Sequence, residues 1–568
     1  MQTLVAAGLS TLFAPLKASF IAKTHRVASA QEEFLLRLLR VQQDTQLGRD
    51  YQLSAIASVR EFRHRIPVLP YSSFAPYVER VAGGEANVMT PDPVIYMNMT
   101  SGSTGKQKLI PVTRRSRRFR HRASQVSLAF LLSLMQQQRR SFGQILLTSS
   151  VELLGKTSGG IDYGPVSVGD LRLQNPIVRN ALLSQPFATL EATDSAARHY
   201  VSLLFALNNP NARIVAANFP ILALILCEYL ERYADRLLDD LERGTITSEL
   251  MLEPELRARL ERQLHPMPQR VARLRSVLKA EGTLTPQLAW PDLSLIITAR
   301  GGNSDFYFQR FPDYFGDTPV FGGTYSTAET VFGICPAIDR DGAMLALDSG
   351  FYEFIPAEEW DSSQPRTLLP EEVEVGQTYR ILVTNYNGFY RYDLGDVVEV
   401  LGFYARNPIV VFRHRRGGLL SSTTEKTTEY HAAQVMNALQ QEFDLTLEDF
   451  CITLAAAETP PPYLVNIELA APEAIADPHA FLRQFDRRLK EVHTSYAVKR
   501  RRQVPPPCLR VLPRGSFHKV RQRLLANGIP EHHLKFPHIS EDRQFLKDIP
   551  VELEVCLLDD RVTGQHTS

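Results

Sequence analysis

Short apolar runs set between longer amphipathic segments most narrowly limit how this chain can fold. Gln144 to Leu147, Arg213 to Ala217 and Leu293 to Thr298 suit strands buried on both faces. Pro220 to Arg243 has proline at its opening, Leu224, Tyr229, Leu237 and Leu241 in one stripe and Gly244 just beyond, the pattern of a helix packed on a core. Alternation of this kind over roughly the first four hundred residues predicts an α/β architecture with substantial parallel pairing. Upstream, Glu32 to Leu47 carries apolar residues at helical spacing, and Arg60-Glu61-Phe62 and Phe74-Ala75-Pro76-Tyr77 read as helices joined by proline-rich turns.

Around Tyr379 the period changes. Tyr379, Ile381 and Val383 alternate with their neighbours, Asn387-Gly388 is a two-residue hairpin signal, and Phe389 to Val400 resumes a strand pattern, so an antiparallel subdomain is expected. The stretch Arg413 to Ser422 combines charge, a glycine pair and serines, a composition suited to a hinge. Beyond it, Glu429 to Phe536 reads as a small α+β unit with strands at Tyr463 to Leu469 and Cys508 to Leu512 and helices at Pro478 to Val492 and Phe517 to Ala526. The expected organisation is a large domain over residues 1–415, a hinge at 416–422 and a mobile C-terminal lid over 423–568.

Composition narrows the classes. Lysine plus arginine (63) nearly balance aspartate plus glutamate (62), which argues against a dedicated nucleic-acid binder. Hydrophobic content of 44% supplies ample core material and gives no case for disorder. Cys227, Cys335, Cys451, Cys508 and Cys556 form no CxxC pair, and their odd count fits a reducing cytoplasm better than a disulfide framework. Leu4 to Ile21 is apolar but follows no basic segment and contains Lys17, so an amphipathic helix is expected rather than a signal peptide or membrane span. The histidines include no HExxH and no zinc spacing. Arg114, Arg115, Arg117, Arg118, Arg120 and Arg122 read as a solvated helix face. Lys499 to Arg502 reads as a charged loop edge.

The run Thr100-Ser101-Gly102-Ser103-Thr104-Gly105-Lys106-Gln107-Lys108 carries the chemistry. Glycine permits close backbone approach, while amides, hydroxyls and ammonium groups together offset phosphate charge, so the run suits a polyphosphate such as that of ATP. It is not the mononucleotide P-loop, because Gly102 and Gly105 are too close and Gln107 follows Lys106. Read alone, it also fits a solvated turn.

Three further segments, Tyr325-Ser326-Thr327-Ala328-Glu329, Tyr390-Arg391-Tyr392-Asp393-Leu394-Gly395-Asp396 and Phe412-Arg413, give the chain an order that resembles the adenylate-forming superfamily of acyl-CoA synthetases, luciferases and peptide-synthetase adenylation domains. Phe62 to Pro70, Phe74 to Tyr77, Lys108-Leu109-Ile110-Pro111, Phe351 to Pro356, Arg514 to Phe517 and Leu534 to Pro537 narrow the resemblance to the Gretchen Hagen family of auxin-responsive acyl acid amido synthetases, from about Glu32 to Pro537.

That resemblance implies an adenylate-forming α/β fold and a two-step ligase using ATP and Mg2+. A small carboxylic acid attacks the α-phosphate of ATP, pyrophosphate leaves, and an amino acid's amine displaces AMP to give an amide. By the same resemblance Ser101, Gly102, Ser103, Thr104, Gly105 and Lys108 hold phosphates, Tyr325, Ser326 and Thr327 pass the adenine and α-phosphate, and Glu329 binds magnesium. Asp396 takes the ribose hydroxyls, Arg413 reaches ribose or phosphate, and Lys535 and Lys426 are the catalytic lysines of the lid. Arg300, Gly301 and Gly302 follow a buried strand where an α/β sheet places a ligand crevice, and are expected at the acyl acid. The arginine run from Arg114 to Arg122 leaves room for one arginine to point into the acyl pocket. Departures are a loop one residue shorter than the plant pattern, Thr327-Ala328 in place of serines, and histidine rather than arginine after Pro537. A thiol acceptor, and a nucleotide-binding regulator without turnover, are the rival readings. No nucleic-acid or membrane partner is expected.

Overall fold

The computed structural model describes residues 2–100, 108–302, 304–415, 419–456, 459–471, 474–501, 503–526 and 536–557, with side chains from residue 8 onward. The chain forms two compact units, one of residues 1–301 and 311–412, the other of residues 302–310 and 413–568.

In the first unit, four strands, Gln144–Leu147, Ala212–Ala216, Leu295–Ile297 and Val320–Phe321, pair in parallel in that order. The first three are the apolar runs expected as strands, Val320–Phe321 is an addition to them, and Ile214, Leu295 and Ile296 have no exposed surface. The expected helix over Pro220 to Arg243 is instead two, Pro220–Arg232 and Ala234–Arg243, separated at Tyr233. Tyr233 packs edge-on against Tyr200 and stacks on Tyr229, ring contacts that favour a bend over a continuous axis. Gly244 then closes the second helix in the left-handed conformation, φ 68°.

The antiparallel subdomain is a seven-stranded sheet ordered Phe351–Pro356, Thr378–Asn385, Phe389–Tyr404, Asn407–Arg415, Ala343–Leu345, Val331–Ile334, Thr324–Ser326. The turn between its second and third members is the expected Asn387-Gly388; Gly388 has φ 90°, and a Cβ there would lie 2.5 Å from the Met89 carbonyl oxygen, so only glycine fits. Helix Val27–Gln42 docks on this subdomain through an apolar stripe and two buried glutamines. Gln31 accepts from the Tyr352 amide (2.9 Å) and donates to the Gly350 carbonyl (3.0 Å), while Gln42 accepts from the Tyr390 hydroxyl (2.9 Å) and donates to the Tyr386 carbonyl (3.2 Å).

Beneath that docking sits a buried ion pair. Arg391 donates from Nε and Nη2 to the two carboxylate oxygens of Glu353, both at 2.9 Å, and from Nη1 to the carbonyls of Arg63 (2.8 Å) and Ile66 (2.6 Å). Both side chains are almost wholly excluded from water. The bidentate geometry and the carbonyls answer most of the guanidinium's donors, the condition under which a buried pair is tolerated.

The second unit has a four-stranded sheet, Leu447–Leu454, Tyr463–Leu469, Cys508–Leu512, Leu553–Cys556, with only the middle pairing parallel. Strand Leu553–Cys556 and helix Thr494–Arg500 go beyond the sequence-based expectation. So does a disulfide. Cys508 and Cys556 face each other across paired strands and are bonded, contrary to the reduced cysteines expected; Cys227, Cys335 and Cys451 are buried and free. Cysteine spacing is silent on this pairing because register, not sequence distance, brings the two together.

Residues 302–310 join this unit although the sequence places them far upstream. Phe306 packs on Phe450 and His538, Tyr307 lies in hydrogen-bond reach of His538 Nε2 (3.3 Å), and Arg310 donates to Glu448 (2.8 Å). His431, at the start of helix Glu429–Glu442, stacks on His493 with centroids 4.2 Å apart. Burial, reinforced by the neighbouring His493 and His414, pushes its imidazole down to about 3. Among the described residues no helix is long and apolar enough to cross a membrane.

Replacing Arg391 by Met leaves the buried Glu353 carboxylate with only the Thr367 hydroxyl (2.7 Å) and the more distant Arg63 guanidinium (3.4 Å), and is expected to cost about 3 kcal/mol of stability, read as an earlier first-unit transition in urea unfolding. Because His431 resists protonation only when folded, the unfolded chain binds more protons below about pH 6.5. The stability it contributes is therefore complete above about pH 6.5 and declines, by up to about 1.4 kcal/mol per pH unit, as pH falls toward about 3. Unfolding measured across that window should show this slope for the native chain and a flatter one for His431→Gln.

Candidate active site

Strands Val94–Thr100 and Lys108–Thr113 run antiparallel with Thr100 opposite Lys108, so the glycine- and hydroxyl-rich run connects their ends. Ser101, Gly102, Ser103, Thr104 and Gly105, with Lys106, lie outside the described residues, as does Lys535. Lys108 is described, and its ammonium sits 5.4 Å from the centre of the Tyr71 ring. Tyr71 is clamped to the strand, its hydroxyl donating to the Leu109 carbonyl (2.9 Å) and accepting from the Leu109 amide (3.0 Å). Burial pushes this phenol up to about 12; the Leu109 contact opposes the rise and the nearby Glu329 carboxylate adds to it. Tyr71 thus pins the start of the loop's exit strand at Leu109.

The Glu329 segment is held almost entirely through its backbone. Asn98 donates to the Ala328 carbonyl (2.8 Å), and Asn385 (3.1 Å) and Asn387 (2.8 Å) both donate to the Glu329 carbonyl. Arg120 donates to the Thr327 carbonyl (2.9 Å), and the Thr327 hydroxyl accepts from the Glu329 amide (3.3 Å). The Thr327-Ala328 departure is therefore accommodated: Ala328 is buried and threonine supplies a turn-forming oxygen. Glu329 itself is 6% exposed, and among the described residues no donor is bonded to its carboxylate. An isolated buried carboxylate is costly, and oxygen is the ligand magnesium prefers, so Glu329 fits a cation site.

Tyr325 lies at the other end of the same segment. Its hydroxyl donates to Asp396 Oδ2 at 2.7 Å, and its ring stacks on Phe332 (5.2 Å) and tilts against Phe412 (6.1 Å). Asp396 is 1% exposed, on strand Phe389–Tyr404. The nearby Asp393 is tied instead to the Gly395 amide (2.9 Å) and to Arg380 (3.5 Å). Ser326 is exposed and shares a hydrogen bond with Thr324 (2.9 Å).

Arg300 pairs with Asp341 (2.7 Å), and Gly301, φ 88°, packs so closely on Phe412 that a Cβ would lie 2.8 Å from its carbonyl oxygen. Gly302, φ 64°, begins the segment belonging to the second unit. Arg413 and Lys426 are also in the second unit: the Arg413 guanidinium lies 4.9 Å from the Tyr430 ring centre, and Lys426, φ 60°, donates its amide to Ser421. The structure thus gathers Lys108, Tyr325, Thr327, Glu329 and Asp396 in the first unit.

The arginine run corrects a sequence expectation. Arg114 and Arg118 are exposed, but Arg115 pairs with Asp92 (2.5 Å), Arg120 with Asp170 (3.2 Å) and Arg122 with Asp348 (3.3 Å), while Arg117 turns into a cavity beside Glu329. The helix Arg114–Gln137 presents Arg115, Arg120 and Arg122 to the protein because acidic partners lie on other elements, and Arg117 to the cavity. Asn98, Asn385 and Asn387 were likewise invisible as site residues; Asn387 is legible only as half of a hairpin turn.

The description "GH3 family N-terminal domain" matches residues 16–320, "GH3 family central domain" 343–415 and "GH3 family C-terminal domain" 430–544. A jasmonoyl-L-amino acid synthetase of Nicotiana attenuata is 24% identical over 555 residues, 91% of this chain and 92% of that protein. An indole-3-acetic acid-amido synthetase of Arabidopsis thaliana is 25% identical over 511 residues, 84% of each. Among solved structures, the AtGH3.15 acyl acid amido synthetase in complex with 2,4-DB shares the fold with a TM-score of 0.84 at 21% identity, covering 96% of this chain and 97% of that one. A 2-hydroxyisobutyryl-CoA ligase in the postadenylation state matches with a TM-score of 0.50 at 13% identity, over 93% and 90%. The adenylate-forming fold expected from the motif order is therefore the observed one, and with the N-terminal match alone spanning more than half of its residues, the chain belongs to the GH3 family.

Proposed function

We propose that this protein is an ATP-dependent acyl acid amido synthetase that activates a small carboxylic acid as its adenylate and transfers the acyl group to an amino acid. The observation that carries the reading is the joint placement of Tyr325, Glu329 and Asp396 on one bonded framework, within a chain whose GH3 relatives match along nearly its whole length. Ser101, Gly102, Ser103, Thr104, Gly105 and Lys108 receive the phosphates in this reading, with Ser326 and Thr327 beside the α-phosphate. Asp396 accepts from the ribose hydroxyls, and Tyr325, already bonded to it, orients that carboxylate and offers its ring to the adenine. Glu329 would hold magnesium, which supplies charge neutralisation for the phosphates.

The protein's part in the first step is positioning and electrostatic: the carboxylate and the α-phosphorus must be held in line while negative charge builds on the departing pyrophosphate. In this reading residues 1–415 supply the ATP- and acyl-binding domain, apart from 302–310 and 413–415, which belong to the second unit, with 416–422 as the hinge and 423–568 as the lid. Lys535 and Lys426 serve the two steps from the lid, Arg413 contacts the nucleotide, and Arg300, Gly301 and Gly302 border the acyl acid. A cytoplasmic setting, where ATP is supplied, belongs to the same proposal and does not rest on the cysteines, two of which are bonded.

Acid-dependent exchange of labelled pyrophosphate into ATP, followed by mass spectrometry of products formed with amino acids or coenzyme A, tests the reading. An amide with AMP release supports it. A thioester points to a thiol acceptor, and ATP binding with no exchange across a broad acid panel points to a regulator; either result overturns it. Asp396→Asn is expected to raise KM for ATP at least about tenfold, the loss of one charge-assisted hydrogen bond. Glu329→Gln should shift half-saturation by magnesium upward by a similar factor. Lys535→Ala should slow exchange far more than it weakens ATP binding by calorimetry.

A further inference from the structure

The cavity beside Glu329 encloses about 30 Å3 and is lined by Asn98, Ser116, Arg117, Glu329, Ser349 and Asn387 among others. That is room for about two water-sized groups, the size of the two oxygens of a carboxylate. Arg117 Nε and Nη2 are buried and have no hydrogen-bond partner among the described residues. These two nitrogens form the edge of a guanidinium that grips a carboxylate with parallel bonds. Burial lowers the Arg117 pKa and the Asp170 carboxylate opposes that effect, yet Asp170 is engaged by Arg120 (3.2 Å) and leaves the Arg117 edge open. A buried guanidinium keeps its charge and calls for an anion.

The same cavity also presents acceptors. The Glu329 side chain lines the cavity, that residue's own hydrogen bonds running through its backbone, and Asn387 Oδ1 and Ser349 Oγ are buried without partners among the described residues. A site offering both an unpaired guanidinium edge and a carboxylate is complementary to a zwitterion. Of the three reactants in the proposed reaction, only the amino acid carries an ammonium next to a carboxylate; the acyl acid and the triphosphate are purely anionic. We propose that Arg117 anchors the α-carboxylate of the acceptor amino acid and that this cavity is the acceptor subsite, an assignment that rests on the amide-forming reaction proposed above. Glu329 then faces the ammonium group once pyrophosphate has departed, which aims the amine at the acyl adenylate. Arg117 acts as a binding and positioning residue.

The test compares the native chain with Arg117→Met and Arg117→Lys, using the best acceptor from a screen of the proteinogenic amino acids and that amino acid's α-carboxamide. Loss of two charge-assisted bonds should lower kcat/KM for the amino acid about 100-fold in Arg117→Met, chiefly through KM, while the carboxamide changes by less than about threefold; Arg117→Lys should recover part of the loss. Equal losses for both acceptors, or no loss, overturn the proposal. A matching loss in acid-dependent pyrophosphate exchange overturns it too, because it puts the acyl acid's carboxylate on Arg117. Calorimetric titration of the same amino acids separates this proposal from the reaction it rests on. If the native chain shows no exchange but binds an amino acid only with Arg117 intact, the reaction fails and the subsite stands; if exchange proceeds and binding ignores Arg117, the subsite fails alone.

Discussion

The first unit is organised around one buried charge pair, Arg391 with Glu353. Two charges removed from water survive there only because the guanidinium meets both carboxylate oxygens and the carbonyls of Arg63 and Ile66. Those bonds tie strand Phe389–Tyr404 to strand Phe351–Pro356 and to the end of helix Val59–Arg65. Asp396 lies further along the strand that carries Arg391, and the Asn387-Gly388 turn lies just before it. The candidate ribose contact and the asparagines bonded to the Glu329 carbonyl thus lie on the same pair of strands as Arg391 and the turn between them. Hydrophobic burial of Phe62, Phe74, Phe351 and Tyr390 around it supplies the bulk of the driving force, while the pair fixes which register that burial adopts.

The candidate site follows a consistent division of labour. Backbone carbonyls of Thr327, Ala328 and Glu329 are bound by Arg120, Asn98, Asn385 and Asn387, which spends those donors on holding the chain. Side chains that the candidate site would use are then left open: the hydrogen bonds of Glu329 run through its backbone, and one edge of Arg117 has no partner among the described residues. Carbonyl anchoring makes such openness tolerable, because the segment needs none of its own side-chain bonds to keep its shape.

Much of this was legible from residue patterns. The parallel strands, the Asn387-Gly388 turn, and the strand at Tyr463–Leu469 follow from apolar runs and turn chemistry, since both are local properties. The motif order pointed to Glu329 and Asp396, and the former lies in a bonded cluster with Asn98, Asn385 and Asn387. What patterns missed shares one cause. Arg117 and Arg120 look like any surface arginines until Asp170 and Thr327 arrive from other elements, and Tyr71 becomes a site residue only because strand Lys108–Thr113 lies against it. The disulfide is similar, set by strand register rather than by spacing.

Sequence by itself determined the α/β class, the family, and the residue types at the candidate nucleotide motifs, because local periodicity and the order of short motifs along the chain are both written in it. Tertiary structure alone decided that residues 302–310 belong with the C-terminal unit, that one arginine of six turns inward unpaired, and that asparagines from two distant stretches bind the adjacent carbonyls of Ala328 and Glu329. The physical reason is that hydrogen bonds and ion pairs are satisfied across space. A donor's role depends on which acceptor the fold delivers to it, and no local pattern records that delivery.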